Sequence, residues 1–342
     1  LSTPIPREKY LKNALSLTEE EITLMNFYSS WLPKDIIDCH AHCNLKDHFM
    51  YVEKRAYNHM LSTFPYFSLE ESKKLRKLFF PGKRVRTIRF PKTFKGINHK
   101  QANAYLLDES TPDDLVAVFG LPEDYEYTIE VLSDKRAVAL KMYHSYLDPP
   151  AKEIYEYFPK EILEVAQFLG KPIILHTPVR IDLCLNQVLD LIRDFPRLKI
   201  CIAHLGLTKH VVAELEKAFS AIKPYAQVNF DTSLVPSSEV VKLALEKLGT
   251  ERIMFGSDEP LNLIRSYAYN NPDLGQRIVT DIKYHWTLES EYNNYGHLAR
   301  KSVHAHWQCL EAIRKAIEIS PGDKDTVKEN IFYNNSKHFY SI

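Results

Sequence analysis

Eight times along this chain a short apolar, β-branched segment is followed by a longer stretch of helical character, and that alternation restricts the fold more than any other feature. The eight segments are residues 35–41 ("DIIDCHA"), 84–90, 114–120, 136–143, 171–176, 198–204, 226–232 and 251–257. Between them lie amphipathic stretches such as 159–170, which ends at Gly170 just ahead of Pro172, and 209–222. Strands that alternate with helices predict a parallel sheet. Eight of them predict a closed (β/α)8 TIM barrel; since a typical barrel takes about 250 residues, a chain of 342 residues has length left for insertions. Residues 1–34 read as an N-terminal leader and 35–342 as the barrel domain. Insertions are expected at about 45–83, after strand one, and 259–298, after strand eight. Loops that follow barrel strands border the catalytic face, so both are expected to act as lids, with surface decoration or a homodimer contact as the alternative use.

Strand one carries His40 and His42. In a strand, residues i and i+2 point to the same side, so the two imidazoles are expected to project together into the barrel mouth, with Asp38 one step below. Such a pair on a rigid strand can chelate a divalent metal. Cys39 and Cys43 have the opposite parity and are expected to point outward with Ala41. The same His-Ala-His tripeptide recurs at 304–306 within a stretch of helical apolar spacing. On a helix i and i+2 lie roughly 200° apart, so His304 and His306 are expected to be ordinary helix residues that cannot share a metal.

Other ligand-type residues fall at matching places. Lys141 is near the end of strand four, His176 ends strand five, His204 ends strand six and Asp258 follows strand eight. Each sits where a barrel strand opens onto the catalytic face. Arg180 and His144 lie on the loops just beyond and are candidate substrate-binding residues. Their ordinary alternatives are an ion pair with Asp182 and a solvated loop histidine. Asn229 and Asp231 share one face of strand seven and are placed to orient His204. Arg86 and Arg89 differ in parity, and the sequence leaves open which of them faces inward.

Taken in order, "DCHAH", Lys141 in "ALKMY", His176 in "IILHTP", His204 in "CIAHLG" and Asp258 in "FGSDEP" resemble the metal-ligand series of the amidohydrolase superfamily. The nearer likeness is to its amidohydrolase-related branch of barrel hydrolases, lactonases and non-oxidative decarboxylases, and it runs from about residue 35 to 340. The resemblance implies His40, His42 and Asp258 as ligands of one metal. It implies His176 and His204 as ligands of a second metal in two-metal members. In one-metal members His176 joins the first metal and His204 stays nearby as an acid/base group. Lys141 is then either a carboxylated bridge between two metals or an unmodified amine that binds substrate. Either way the implied activity is a metal-dependent hydrolase. Metal-activated water attacks an amide, lactone or similar bond of a small organic molecule, with Asp258 and His204 as catalytic residues. A non-oxidative decarboxylase or lyase is the alternative. Imidazole and carboxylate donors suit zinc best, with manganese, iron or cobalt as substitutes, at one or two ions per chain.

Composition excludes little but consistently. Formal net charge is zero and the charges are spread along the chain, which gives no reason to expect nucleic acid or a membrane as partner. No apolar run approaches the about 18 residues needed to span a bilayer. The polar "LSTPIPREKY" start carries no secretory apolar region. Five scattered cysteines suit reduced thiols, so a cytoplasmic enzyme with a small-molecule substrate is expected.

Overall fold

The β-branched segments pair as a parallel sheet because each is too apolar to face water on either side. The structure, a computed structural model, describes residues 12, 14–50, 64, 66–93, 95–208, 213–272, 275–284 and 287–342. Among these, eight strands lie side by side in chain order: β1 (Asp35–His42), β2 (Arg84–Phe90), β3 (Asp114–Phe119), β4 (Ala137–Met142), β5 (Ile173–Leu175), β6 (Ile200–Ile202), β7 (Val228–Asp231) and β8 (Ile253–Met254). Every pairing between them is parallel. The segment after β8 closes the ring on β1. Cys39 N donates to Phe255 O (3.0 Å), Asp258 N to His40 O (2.8 Å) and His42 N to Glu259 O (2.6 Å). This is the (β/α)8 barrel that the alternation predicts.

Between the strands run α2 (Leu69–Phe79), α3 (His99–Asp108), α4 (Tyr125–Ser133), α5 (Lys160–Phe168), α6 (Leu185–Asp194), α7 (Ala213–Ile222) and α8 (Ser238–Leu248), after α1 (Glu19–Trp31) at the N-terminal side. Each helix buries one stripe, as in α2, where Leu69, Ser72, Leu75 and Phe79 face in. Ser68 and Glu71 form the capping box that starts α2. The predicted start of α7, residues 209–212, lies outside the described residues.

Inside the barrel, Ile88, Ala117, Ala139, Ile174, Cys201 and Met254 form one apolar layer. Alternate residues, such as Val116, Val118, Leu140 and Met142, pack outward in the core that includes the helices. The C-terminal helices are α9 (Glu289–Tyr295), α10 (Ala305–Ile319) and α11 (Asn335–Tyr340). Phe339 and Tyr340 of α11 join the inner layer from the N-terminal end, where Lys199 donates to Phe339 O (2.8 Å).

Three expectations are corrected. Cys39 belongs to the inner layer rather than the outside. The β1–β2 register slips by one residue between Asp38 and Ala41, a bulge that breaks simple alternation and lets Cys39 and His40 both face in. The stretch 45–83 is not all insertion. Its residues 69–79 are the barrel helix α2, and much of the remainder, 51–63 and 65, lies outside the described residues. Finally, His304 is not on a helix. It ends the short strand β11 (Val303–His304), one residue before α10, whereas His306 is helical.

The second expected insertion, 259–298, includes the antiparallel strands β9 (Arg265–Asn271) and β10 (Gly275–Thr280) and helix α9. β9 pairs with both β10 and β11. Its base is fixed by a buried acid. Glu21 of α1 caps its own helix through Thr18, and its carboxylate also accepts from Arg265 Nε (3.0 Å), Arg265 Nη2 (2.8 Å) and His304 N (2.9 Å). His304 Nδ1 lies 2.6 Å from the same carboxylate. Tyr28 of α1 stacks on Trp307 at 6.1 Å and donates to Glu311 (2.6 Å), so α1 shares the core of α10. No helix among the described residues is long and apolar enough to cross a membrane.

Glu21→Ala should cost about 3–5 kcal/mol of stability, because it removes the carboxylate that pairs a buried guanidinium beside β9. Urea unfolding monitored by tryptophan fluorescence measures this. A loss below about 1 kcal/mol, the range of an exposed pair, would show that the network does not bear on stability.

Candidate metal centre

The strand ends deliver one set of side chains to one cavity of about 320 Å³ in the barrel mouth. Its polar lining is His40, His42, Lys141, His176, His204 and Asp258, together with Lys92, Thr93, Tyr143 and Thr208. All six metal-ligand candidates read from the sequence therefore meet in one place. From the expected insertions it takes Leu261 of 259–298 and none of the described residues of 45–83.

The hydrogen bonds of the four histidines decide what they can do. His40 Nδ1 lies 2.9 Å from Asp231 Oδ2, and His42 Nδ1 3.2 Å from Pro91 O. His176 Nδ1 faces Thr177 O at 3.0 Å, and His204 Nδ1 faces Ser233 O at 2.8 Å. Each partner is an acceptor, so each Nδ1 carries the proton and each neutral ring keeps a lone pair on Nε2. Two of these lone pairs converge on one carboxylate oxygen. Asp258 Oδ1 is 3.0 Å from His42 Nε2 and 3.5 Å from His40 Nε2. Neither ring nitrogen has a proton to give it, and among the described residues the buried Oδ1 has no hydrogen-bond donor. Lone pairs that face one another across such distances fit a cation between them. His40, His204 and Asp258 each place a donor atom within 4.8 Å of the others, and the His204 ring also lies 5.2 Å from that of His176. The residues present thus fit a divalent metal.

Electrostatics agree. Burial pulls the His42 imidazole down to about 4, and it holds His176 and His204 below their ordinary values too. At neutral pH these three are free bases ready to donate a lone pair. Burial opposes the ionised form of Asp258, and its carboxyl falls below the usual range only where positive charge faces it, a role that a bound cation would fill beside neutral rings. Lys141 is 1% exposed, and among the described residues its Nζ has no hydrogen-bond partner. Burial draws it down to about 8 against the pull of Asp231 and Asp258. It sits over the Phe90 ring at 5.1 Å.

Around this set the backbone is bent to order. His204, Leu207, Leu234 and Asp258 all line the cavity with positive φ, at 56°, 62°, 50° and 58°. Left-handed backbone in non-glycine residues costs energy and gathers at functional sites. Asp38 ties β1 to the turn before Asp258 by accepting from Ser257 N (2.9 Å), Ser257 Oγ and His40 N (3.2 Å). Gly256 is needed in that turn, since a Cβ there would come within 2.9 Å of His40 Cβ.

The remaining candidates divide. His144 stacks on His176 at 5.3 Å, beside the cavity rather than in its lining. Arg180 is not brought in, because its guanidinium forks onto Asp182 at 2.6 and 2.7 Å. Asp231 orients the His40 ring and holds His204 by its backbone N–H (2.9 Å), while Ser233 takes the His204 ring. Arg89 points out of the barrel, to Glu259 (2.9 Å) and Asp114 (3.1 Å). Sequence reasoning did not single out Lys92, Thr93, Tyr143, Thr208 or Ser233. The signal for Lys92 was two residues of chain beyond strand two, the same kind of place as Asp258 after strand eight. His304 and His306 lie outside the cavity, the latter stacked on Phe79 at 4.4 Å.

Asp231→Asn should weaken zinc binding about 10–100-fold, as loss of a histidine's orienting partner does, while His306→Ala leaves zinc affinity unchanged. Competition with a fluorescent zinc chelator measures both. Equal losses in the two variants would mean damage to the fold and not to the site.

Comparison with known proteins agrees with this geometry. The family described as Amidohydrolase matches residues 37–342. No curated protein sequence matches the chain significantly. Among solved structures the barrel is similar to a probable 2-pyrone-4,6-dicarboxylic acid hydrolase from Acinetobacter baumannii, with 14% identity, 90% of this chain and 99% of that one covered, and a TM-score of 0.57. It is also similar to 4-oxalomesaconate hydratase from Rhodopseudomonas palustris (16% identity, 90% and 95% covered, TM-score 0.52). A third is 5-carboxyvanillate decarboxylase from Novosphingobium aromaticivorans, solved with manganese (12% identity, 92% and 97% covered, TM-score 0.53).

Proposed function

This chain belongs to the amidohydrolase family, and from that premise we propose that it is a metal-dependent hydrolase of a small organic molecule. The observation that carries the reading is the convergence of proton-free Nε2 atoms of His40 and His42 on the donorless Oδ1 of Asp258. His40, His42, His176 and Asp258 would hold a divalent cation, zinc first, with His204 beside them. When bound, the cation polarises a substrate oxygen and makes water acidic enough to ionise near neutral pH.

The chain's own residues supply the rest. Asp258 is the one carboxylate among the described lining residues, and an ionised carboxylate at neutral pH has a lone pair with which to accept a proton. It takes the proton from the attacking water and returns it to the departing nitrogen or oxygen. His204 is fixed by Ser233 and Asp231 so that its Nε2 faces the same space. There it can accept a proton released by the attacking water and, once protonated, donate a hydrogen bond to the oxygen on which charge develops. Leu207, Leu234, Val235 and Leu261 exclude water from the walls. A decarboxylase is the second reading. Lys92 and Lys141 line the cavity and suit a carboxylate held for C–C cleavage.

The test is elemental analysis of protein purified without chelator, followed by a panel of small lactones, amides and carboxylated aromatics. At least one metal ion per chain and acid release without CO2 are expected. Release of CO2 would favour the decarboxylase. His40→Ala and Asp258→Asn should both abolish turnover with the circular dichroism of the fold retained, and full activity in both would overturn the metal assignment.

A further inference from the structure

Below the mouth, the inner layer of the barrel carries a polar cluster that the catalytic reading leaves unused. All five cysteines are free and buried, and two of them come together. Cys39 of β1 and Cys201 of β6 lie on strands that do not pair, with β7 and β8 between them in the ring, so their side chains meet across the barrel interior. The two sulfurs and a carboxylate oxygen of Asp231 on β7 all lie within 4.8 Å of one another, and all three residues are 0% exposed. Cys201 Sγ donates to Asp231 Oδ2 at 3.8 Å, the same oxygen that faces His40 Nδ1. Tyr340 enters the layer from the N-terminal end, and among the described residues its buried Oη has no hydrogen-bond partner. Burial, and after it Cys201 and Cys39, push its phenol well above the ordinary value, which puts the hydroxyl beside the thiols.

A buried thiol is ordinarily packing material. Here the carboxylate held among the sulfurs and the phenol left without an acceptor are not. A cation about 2.3 Å from sulfur and about 2.1 Å from oxygen, with tetrahedral angles, holds those two donors about 3.6 Å apart. Cys201 Sγ and Asp231 Oδ2 are 3.8 Å apart. Two sulfurs on one such ion stand about 3.8 Å apart, inside the limit of 4.8 Å found for Cys39 and Cys201. We propose that Cys39, Cys201 and Asp231 form a second metal site, for a thiophilic cation of the zinc, cadmium or copper(I) kind. Each thiol proton leaves for solvent as its sulfur–metal bond forms, and the bound thiolate gives Tyr340 Oη an acceptor. The ion ties β1, β6 and β7 together under the catalytic centre and fixes Asp231, the acid that orients His40, from below. It uses none of the ligands assigned to the catalytic metal, so it goes beyond the functional reading above and does not depend on it.

Cadmium is the probe, because a thiolate bound to it absorbs in the ultraviolet where bound imidazole and carboxylate do not. The full chain, stripped of metal and kept reduced with a phosphine, is titrated with cadmium and followed to equilibrium, since a buried site fills slowly. Thiolate absorption should saturate at about one such ion per chain, with about two protons released to a pH indicator for each. Cys39→Ala and Cys201→Ala should each lower the absorption at saturation at least about twofold, and the double variant should abolish it with the circular dichroism of the fold retained. Alanine suits a layer that already holds Ala117 and Ala139, and Cys39→Ser with Cys201→Ser repeats the comparison should an alanine variant fail to fold. Cys43→Ala and Cys309→Ala, which remove buried thiols elsewhere, should leave the absorption unchanged. A wild type without thiolate absorption at saturating cadmium, or a double variant that keeps it, would overturn the site. A wild type that shows the absorption yet binds no second ion at the mouth would sink the catalytic metal reading and leave this site standing.

Discussion

The hydrogen bonds between β1 and the segment after β8 hold both the fold and the site. A parallel barrel closes only when its first and last strands pair, and here the pairing runs through Cys39, His40 and His42 on one side and Phe255, Asp258 and Glu259 on the other. His40 O accepts from Asp258 N, and His42 N donates to Glu259 O. Sheet closure and the approach of Asp258 to two imidazoles are therefore one event. Asp38 adds a side-chain clasp at the same seam, and burial raises its pKa to about 6 even though Ser257 donates to it.

Closure alone would give a packed mouth. What makes a donor set of it is the layer of acceptors behind the rings. Asp231, Pro91 O, Thr177 O and Ser233 O each take an Nδ1 proton, so all four tautomers are chosen by groups that never enter the cavity. Asp231 has the largest share. One oxygen meets the His40 ring and the other takes His204 N, Ser233 N and Ser233 Oγ, so one carboxylate sets the positions of residues from three strand ends. Burial then depresses the pKa values of His42, His176 and His204, because low-dielectric surroundings solvate an imidazolium poorly.

The barrel and the gathering of the candidate residues in its mouth were legible because their signals are local. Eight apolar segments can be counted along the chain, with two histidines at the end of the first strand and a single ligand-type residue at the end of each of the other relevant strands. What escaped depends on register or on distant partners. The bulge after Asp38 reverses parity for Cys39 and has no signature in "DCHAH". The predicted strand 251–257 is only Ile253–Met254 in the structure, since its later residues leave the regular ladder to pair with β1. Lys92 carries no motif, because a lysine in "FPKT" looks like any solvated loop residue until the fold buries it. Arg180 misled for the opposite reason. Its loop position was right, but Asp182 two residues on captures its guanidinium.

A second charged chain lies outside the barrel wall and explains how the strained turn survives. Arg76 of α2 meets Asp114 at 2.7 Å, Asp114 meets Arg89, and Arg89 meets Glu259, the neighbour of Asp258. Asp114, Arg89 and Glu259 are almost wholly buried. Buried ion pairs are weak sources of net stability, yet breaking one is costly. Such a chain therefore fixes geometry more than it lowers energy. Asp258, at φ of 58°, would relax if Glu259 were free to move, and the seam hydrogen bond from His42 N to Glu259 O would go with it. The outer chain holds Glu259 while the inner acceptors hold the rings. The cavity between them is then stiff enough to keep the lone pairs facing one another.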